Sequence, residues 1–282
     1  MSSSIITPPM SELDSVHDTR STQSHSDSQA LYPDPARVPP YITAVEASSF
    51  KNESLGQVQV EIIPMTAEHA AWWHSTIQPR VKAHFRTASD ATAANAGKKI
   101  RADLGWNWNK VFWLLNVHNQ GHFSTRYAQP AFGLAMVARN KLGETVPIGM
   151  MTLVPSYYCN SDRLGSKTYT WFVSSAPQCF YEDYFKELKL DGVGKALFDA
   201  AIIASYRAGL DGSLLLHADP EGGKGLIRFY VQLGFKPLKF KFSPITLYRW
   251  RHRKEYMLLR AEGAGKIIKD NDPYRREGYL AD

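Results

Sequence analysis

Two short stretches carry side chains that could do chemistry. The first is FYVQLGFKPLKF, residues 229–240. Leu226, Phe229 or Tyr230, and Leu233 recur at helical spacing, and Gly234 supplies the left-handed residue that ends a helix before an apolar run from Phe235. Tyr230 in that helix has two readings. Its ring can fill a core, or its phenol, neutral at pH 7, can give a proton to a group held close to it. The second stretch is KLDGVGKALFDAA, residues 189–201. Gly192 and Gly194 open a helix there, and glycines let the backbone turn tightly against a ligand. A helix start presents unpaired N–H groups and the positive end of the dipole, so this turn suits a phosphate, with Lys189 and Lys195 flanking it. A dinucleotide fingerprint does not fit. G-x-G-x-x-G needs a third glycine where this chain has Leu197, and a preceding strand where it has FKEL.

Composition narrows the setting. The chain has 282 residues, 44% hydrophobic and 21% charged, as expected of a soluble globular protein with a sizeable core. No apolar run approaches the ~18 residues of a membrane span, and MSSSIITPPM lacks the basic start and apolar stretch of a secretory signal. Cys159 and Cys179 form neither a disulfide framework nor a metal-ligand spacing, so a reduced, cytoplasmic setting without a metal is expected. The net charge of +6 is uneven: residues 1–56 carry −4 and the remainder +10. So basic a body implies an anionic partner, whether a phosphorylated cofactor, nucleic acid or an acidic surface.

The elements that must position these groups follow from pattern. Residues 1–55 are rich in Ser, Pro and Asp without period, and read as a disordered leader, either passive or a targeting segment, in which YITAVE could dock as an extended piece. The alternation in QVQVEIIPM marks the first strand. TAEHAAWWHSTIQPRVKAHF and ASDATAANAGKKIRADLG read as helices, and WNWNKVFWLLNV as helix or strand. PAFGLAMVARN, the turn KLGET and VPIGMMTLVPSYY form a hairpin, and KTYTWFVSSAP a third strand. The helix after Gly194, the strand SLLLHADP, the Tyr230 helix and the strand EYMLLR close a domain over residues 56–262. Residues 263–282 read as a surface tail, and no internal repeat is present. The class is α/β or α+β with one mixed sheet.

Lys189-x-x-Gly192-x-Gly194, a helix, the strand LLLHADP, and a second helix holding FYVQLGF resemble the acyl-CoA-binding half of the GNAT N-acetyltransferase superfamily. The hairpin AFGLAMVARNKLGETVPIGMMTLVP and the strand EYMLLR are similar to further strands of that family, so that the resemblance spans about residues 58–262. Lysine at position 189 departs from the family's arginine or glutamine. The resemblance implies a central, mostly antiparallel sheet, splayed at the cofactor site, with helices on both faces. It implies transfer of an acetyl group from acetyl-CoA to a primary amine by direct attack, with Tyr230 as general acid to the leaving thiolate. Asp191, Gly192, Val193, Gly194 and Lys195, with Lys189, would hold the pyrophosphate, and backbone at Phe172, Val173 and Ser174 the pantetheine arm. Many relatives carry a basic glutamate on the strand KTYTWFVSS, and here none is present. His217 and Asp219 are the first candidates for the base, Glu182 and Asp183 the second.

CFYEDYFKEL is longer than the turn most relatives carry at this place. Tyr181, Glu182, Asp183 and Glu187 in it could select an acceptor ammonium, or belong to an ordinary surface helix. KFKFSPITLYRWRHRK, residues 239–254, interleaves basic and aromatic residues and could contact RNA or tRNA, or be a solvated edge. Two other classes stay open: a catalytically weak CoA-binding or RNA-binding protein on the same scaffold, and a secreted effector acetyltransferase. On this reading, removing residues 1–50 leaves folding intact.

Overall fold

The computed structural model describes residues 38–51, 53–121, 129–159, 165–186, 188–238 and 256–275. In chain order the strands are β1 (Ala44–Ser49), β2 (Ser54–Pro64), the short β3 (Phe85–Arg86) and β4 (Lys99–Ile100), β5 (Phe132–Arg139), β6 (Thr145–Cys159), β7 (Gly165–Ser175), β8 (Leu188–Asp191), β9 (Leu214–His217), β10 (Lys236–Pro237) and β11 (Tyr256–Leu259). The helices are α1 (Ala67–Trp72), α2 (Gln78–His84), α3 (Trp108–Gly121), α4 (Gln178–Phe185), α5 (Val193–Arg207), α6 (Gly223–Gln232) and α7 (Ala261–Asn271). Nine strands form one sheet in the order β10-β11-β9-β7-β6-β5-β2-β1-β8, antiparallel at every junction except β7 with β9. This is the single mixed sheet that the pattern of elements implied, mostly antiparallel as the resemblance implied. Among the described residues no helix is long and apolar enough to cross a membrane.

Near-continuous apolar runs place β5 and β6 at the centre, where Leu134–Ala138 and Ile148–Val154 are buried. Both faces of a central strand are covered, so its residues need not alternate. Helix α5 lies on β6 because Gly149 has no side chain: a Cβ there would stand 2.8 Å from Cγ1 of Val193 and 3.0 Å from Cδ1 of Leu197. Such contacts are closer than packed carbon atoms tolerate.

Four expectations are corrected. ASDATAANAGKKIRADLG is not a helix. It holds two 3₁₀ turns, Ala93–Asn95 and Ala102–Gly105, and the short β4. The Asp90 carboxylate accepts from the Thr92 amide at 3.2 Å and hydroxyl at 3.0 Å, and from Asn95, which satisfies the local polar groups without a helix. A strand, β8, does precede the glycine turn, so only Leu197 excludes the dinucleotide fingerprint. The ordered fold begins before residue 56: β1 pairs with β2 on one side and with β8 on the other, burying Ala44, Val45 and Ala47. The segment after 262 is not a surface tail. α7 buries Ala264, Ile267 and Asn271, and its two glycines, which weaken a helix in isolation, conceal it in the sequence. Gly263 is needed, because a Cβ there would meet Cδ1 of Leu259 at 2.7 Å.

A buried ion pair fastens α7 to the core. Arg275 donates to Asp199 on α5 at 2.6 and 3.1 Å and to the Pro40 carbonyl at 2.5 Å, and Asn271 donates to Asp199 at 3.2 Å. Burial pushes the Asp199 carboxyl up, and the bonds from Arg275 and Asn271 offset part of that rise. Arg275→Ala leaves a buried carboxylate without its cation, a loss of about 3–5 kcal/mol, or about 10 °C in melting temperature for a fold of this size. A carboxyl raised in the folded state adds stability below its unfolded value and loses it as pH rises through the folded one. The variant's deficit is therefore expected to narrow as pH falls, as thermal melts at several pH values will show. Removing residues 1–50 deletes β1, so the melting temperature of that truncation is expected to fall, contrary to the sequence reading.

Candidate functional site

β7 and β9 are paired in parallel only from Thr168 to Thr170 against Leu214 to Leu216. The strands part where the register of β7 on β6 shifts: Thr170 faces Leu153 and Phe172 faces Thr152, leaving Trp171 as the extra residue of a bulge. Bulges bend a strand and increase its twist. Beyond it, Phe172–Ser175 stay on β6 as far as Gly149 and leave their other edge unpaired by β9. β9 ends at His217, and Asp219 then caps a 3₁₀ turn, Pro220–Gly222, through its bond from the Glu221 amide at 3.0 Å. A cleft of about 470 Å³ lies in the gap.

Seven of the residues singled out in the sequence meet there. Phe172, Val173 and Ser174 come from β7, His217 and Asp219 from the end of β9, Gly194 from α5 and Tyr230 from α6. The Tyr230 helix ends as its sequence implied: Gly234 has φ +95°, and the Phe235 amide returns to the Tyr230 carbonyl at 3.0 Å. Tyr230 packs edge-on against Phe198 at 5.9 Å and beside Phe235 at 5.7 Å. No side chain among the described residues hydrogen-bonds its hydroxyl. Burial pushes the phenol well above its ordinary value, and the carboxylates of Asp219 and Asp103 add to the rise. The His217 ring lies 4.7 Å from that of Tyr256 on β11.

The glycine turn has the conformation its sequence implied. Gly192 sits at φ +81°, and the Ala196 amide makes the first intrahelical bond, to the Gly192 carbonyl at 2.9 Å. The amides of Val193, Gly194 and Lys195 are then first-turn donors with no partner inside the helix. Of the turn's residues only Gly194 lines the cleft. Val193 is buried against Gly149. Asp191, Gly192 and Lys195 line a separate recess of about 160 Å³ beside Glu46 and Tyr274. Lys189 pairs with Asp191 at 2.8 Å, and Ser48 donates to Asp191 at 2.5 Å. Burial alone would raise the Asp191 carboxyl, but the bonds from Lys189 and Ser48 outweigh it and hold the group low. Lys195 reaches Asp270 at 3.4 Å.

The structure does not bring α4 to the cleft. Tyr181 is a core residue, 3% exposed, with its hydroxyl buried, and burial pushes that phenol far up. Asp183 bonds Arg80 at 2.8 and 3.1 Å on the outer surface, and Glu182 is exposed. Glu187 and the basic stretch 239–254 lie outside the described residues.

Sequence reasoning missed one wall. The turn after β4 brings Arg101, Asp103 and Trp106 into the lining. Arg101 grips the buried Asp103 with Nε at 2.7 Å and Nη2 at 2.9 Å, and it also donates to the Ser175 carbonyl. Ser174 donates its hydroxyl to Asp103 at 2.5 Å. Gln78 donates to the Asp103 and Leu104 carbonyls at 2.6 and 3.0 Å, and the Trp106 indole to Asp219 at 3.4 Å. This turn therefore touches both parted strands. Read as a helix, residues 101 and 103 would point apart. In the extended backbone at Arg101, φ −147°, they meet.

No family model matches the chain, and no curated protein matches it. Solved structures do. RimJ of Mycobacterium smegmatis in complex with CoA-disulfide is 11% identical over 80% of this chain and 93% of its own, with a TM-score of 0.40. A Corynebacterium glutamicum structure described as histone acetyltransferase HPA2 and related acetyltransferase is 21% identical over 71% and 94%, with a TM-score of 0.32. A chimera of the spermidine N-acetyltransferase SpeG from Vibrio cholerae and hSSAT is 11% identical over 73% and 98%, with a TM-score of 0.36. At this level of likeness the chemistry rests on the residues of the cleft. Two of these three structures are described as acetyltransferases, and the third is in complex with CoA-disulfide.

Proposed function

We propose that this protein is an N-acyltransferase that moves an acetyl group from acetyl-CoA to a primary amine. The observation that carries the reading is the gap between β7 and β9 with the Tyr230 ring in its wall. The cleft fits the donor on three counts. The edge of β7 beyond Thr170 is unpaired by β9 and offers backbone groups to the amides of a pantetheine arm. Thr170 lines the cleft with a buried hydroxyl that has no partner. At Gly194 the first turn of α5 brings an amide donor and the positive end of its dipole to the cleft wall, where a pyrophosphate would meet them. When bound, acetyl-CoA supplies the activated acetyl thioester.

The chain's own groups then have distinct tasks. Tyr230 gives its phenolic proton to the departing sulfur. Its raised pKa keeps that proton in place at neutral and mildly alkaline pH. Asp219 holds the acceptor's ammonium at the end of β9, and Asp219 or His217 beside it takes the proton that must leave before nitrogen can attack. The walls align the two reactants and exclude water, which accounts for much of the barrier lowering in such transfers. A donor-binding protein without transfer is the second reading, favoured by the absence of a carboxylate on β7.

Calorimetric titration with acetyl-CoA, with CoA and NAD as comparisons, tests the donor site. Binding of acetyl-CoA but not NAD is expected. Tyr230→Phe is expected to lower kcat about 100-fold while leaving acetyl-CoA affinity within about threefold; an unchanged rate would make the ring structural. Because the phenol titrates above its ordinary value of about 10, the parent's pH–rate profile should show no decline from Tyr230 between pH 7 and 9. At Gly192 the positive φ disfavours a branched side chain. Gly192→Val is expected to weaken acetyl-CoA binding about tenfold, read by the same titration.

A further inference from the structure

The cleft's charged side chains count how many ammonium groups an acceptor can bring. Among the described residues they are Arg101, Asp103 and Asp219, with His217, Tyr169 and Tyr230 the other titratable groups. Asp103 is spent: the Arg101 fork neutralises it, and Ser174 occupies a further lone pair. Arg101 is engaged through Nε and Nη2, on Asp103, the Ser174 hydroxyl and the Ser175 carbonyl, and its charge is matched by Asp103. Among the described residues of the cleft, Asp219 alone has no charged partner. Its partners are neutral donors, the Trp106 indole at 3.4 Å and the Glu221 amide at 3.0 Å.

The walls around that charge are flat and apolar. Trp106 stands edge-on to Phe172 at 4.9 Å, and Trp171 to His118 at 5.2 Å. Trp106 donates its in-plane indole N–H to the Asp219 carboxylate, so an ammonium held there meets the edge of the ring and has the carboxylate as its charge partner. An aromatic body attached to the ammonium by a short chain would bury against Trp106 and Phe172.

Resting on the acyltransfer reading, we infer that the acceptor is an arylalkylamine, carrying one ammonium group and an aromatic body. A polyamine brings two or more ammonium groups to a site with one open carboxylate. Its second charge would be desolvated beside Arg101 without a partner, which is costly. An amino acid brings a carboxylate that Asp219 repels.

The test uses the full chain and thiol release as readout, after acetyl-CoA binding has been measured by calorimetry. Phenylethylamine, tryptamine, butylamine, spermidine and phenylalanine are compared as acceptors. The expected kcat/KM for the two arylalkylamines exceeds that for each of the others about tenfold or more. Preference for spermidine, butylamine or phenylalanine overturns the acceptor class while leaving acyl transfer standing. Failure to bind acetyl-CoA, or binding without thiol release for any amine, overturns acyl transfer and the acceptor class with it. Asp219→Asn should raise KM for phenylethylamine about tenfold with acetyl-CoA affinity within about twofold. Arg101→Gln gives an independent check, because it frees the Asp103 charge. The spermidine-to-phenylethylamine ratio of kcat/KM should then rise about tenfold. An unchanged ratio in a folded Arg101→Gln variant counts against the charge count.

Discussion

Everything functional in this fold depends on two parallel strands that stop being neighbours. A parallel pair needs a covered crossover and normally stays paired along its length. Here β7 and β9 share three register positions and then diverge at the bulge at Trp171. The divergence exposes backbone groups that a continuous sheet would have consumed. It also makes a cavity in the middle of a nine-stranded sheet, where no surface loop is needed to form one. The helices are placed to serve that gap. Gly149 lets α5 descend onto β6, and this brings Gly194 to one side of the gap, while α6 brings Tyr230 to another.

A gap in a sheet must be held open, or the strands would close and re-pair. The turn carrying Arg101, Asp103 and Trp106 does this from the side. It is bonded to Ser174 and Ser175 on β7 and to Asp219 after β9, and Gln78 anchors it from α2. One element thus fixes the width of the cleft and sets its charge. Buried ion pairs are weak sources of stability but strong sources of geometry, since every alternative arrangement strands a charge. The Arg101–Asp103 pair is best understood in that sense.

The legible part of the site was local. Gly192 with Gly194, and Tyr230 ahead of Gly234, declare themselves because helix starts and stops have residue signatures that act over a few positions. The hairpin of β5 and β6 was legible for the same reason. What could not be read depends on distant partners. Arg101 and Asp103 look unrelated to a strand residue, Ser174, until the fold joins them. β1 shows in the sequence only as YITAVE, a piece that could dock extended, because its partners, β2 and β8, supply the pattern that it lacks alone. α7 hides behind Gly263, which the packing against Leu259 requires and which local propensity counts against. Tyr181 misled for the opposite reason. An aromatic residue next to Glu182 and Asp183 looks like a surface feature, but α4 turns it into the core with Phe180 and Phe185.

The bond from Ser48 to Asp191 joins residues 143 apart in sequence, and the Thr43 amide meets the carbonyl of Tyr274 at 2.8 Å. The strand beside the glycine turn therefore pairs with a segment far earlier in the sequence, and that segment is bonded in turn to one far later. Contacts this remote slow folding, because loop-closure entropy is lost before they reward it. A chain lacking α7 can already pair β5 with β6 but lacks the bond that ties Thr43 to Tyr274.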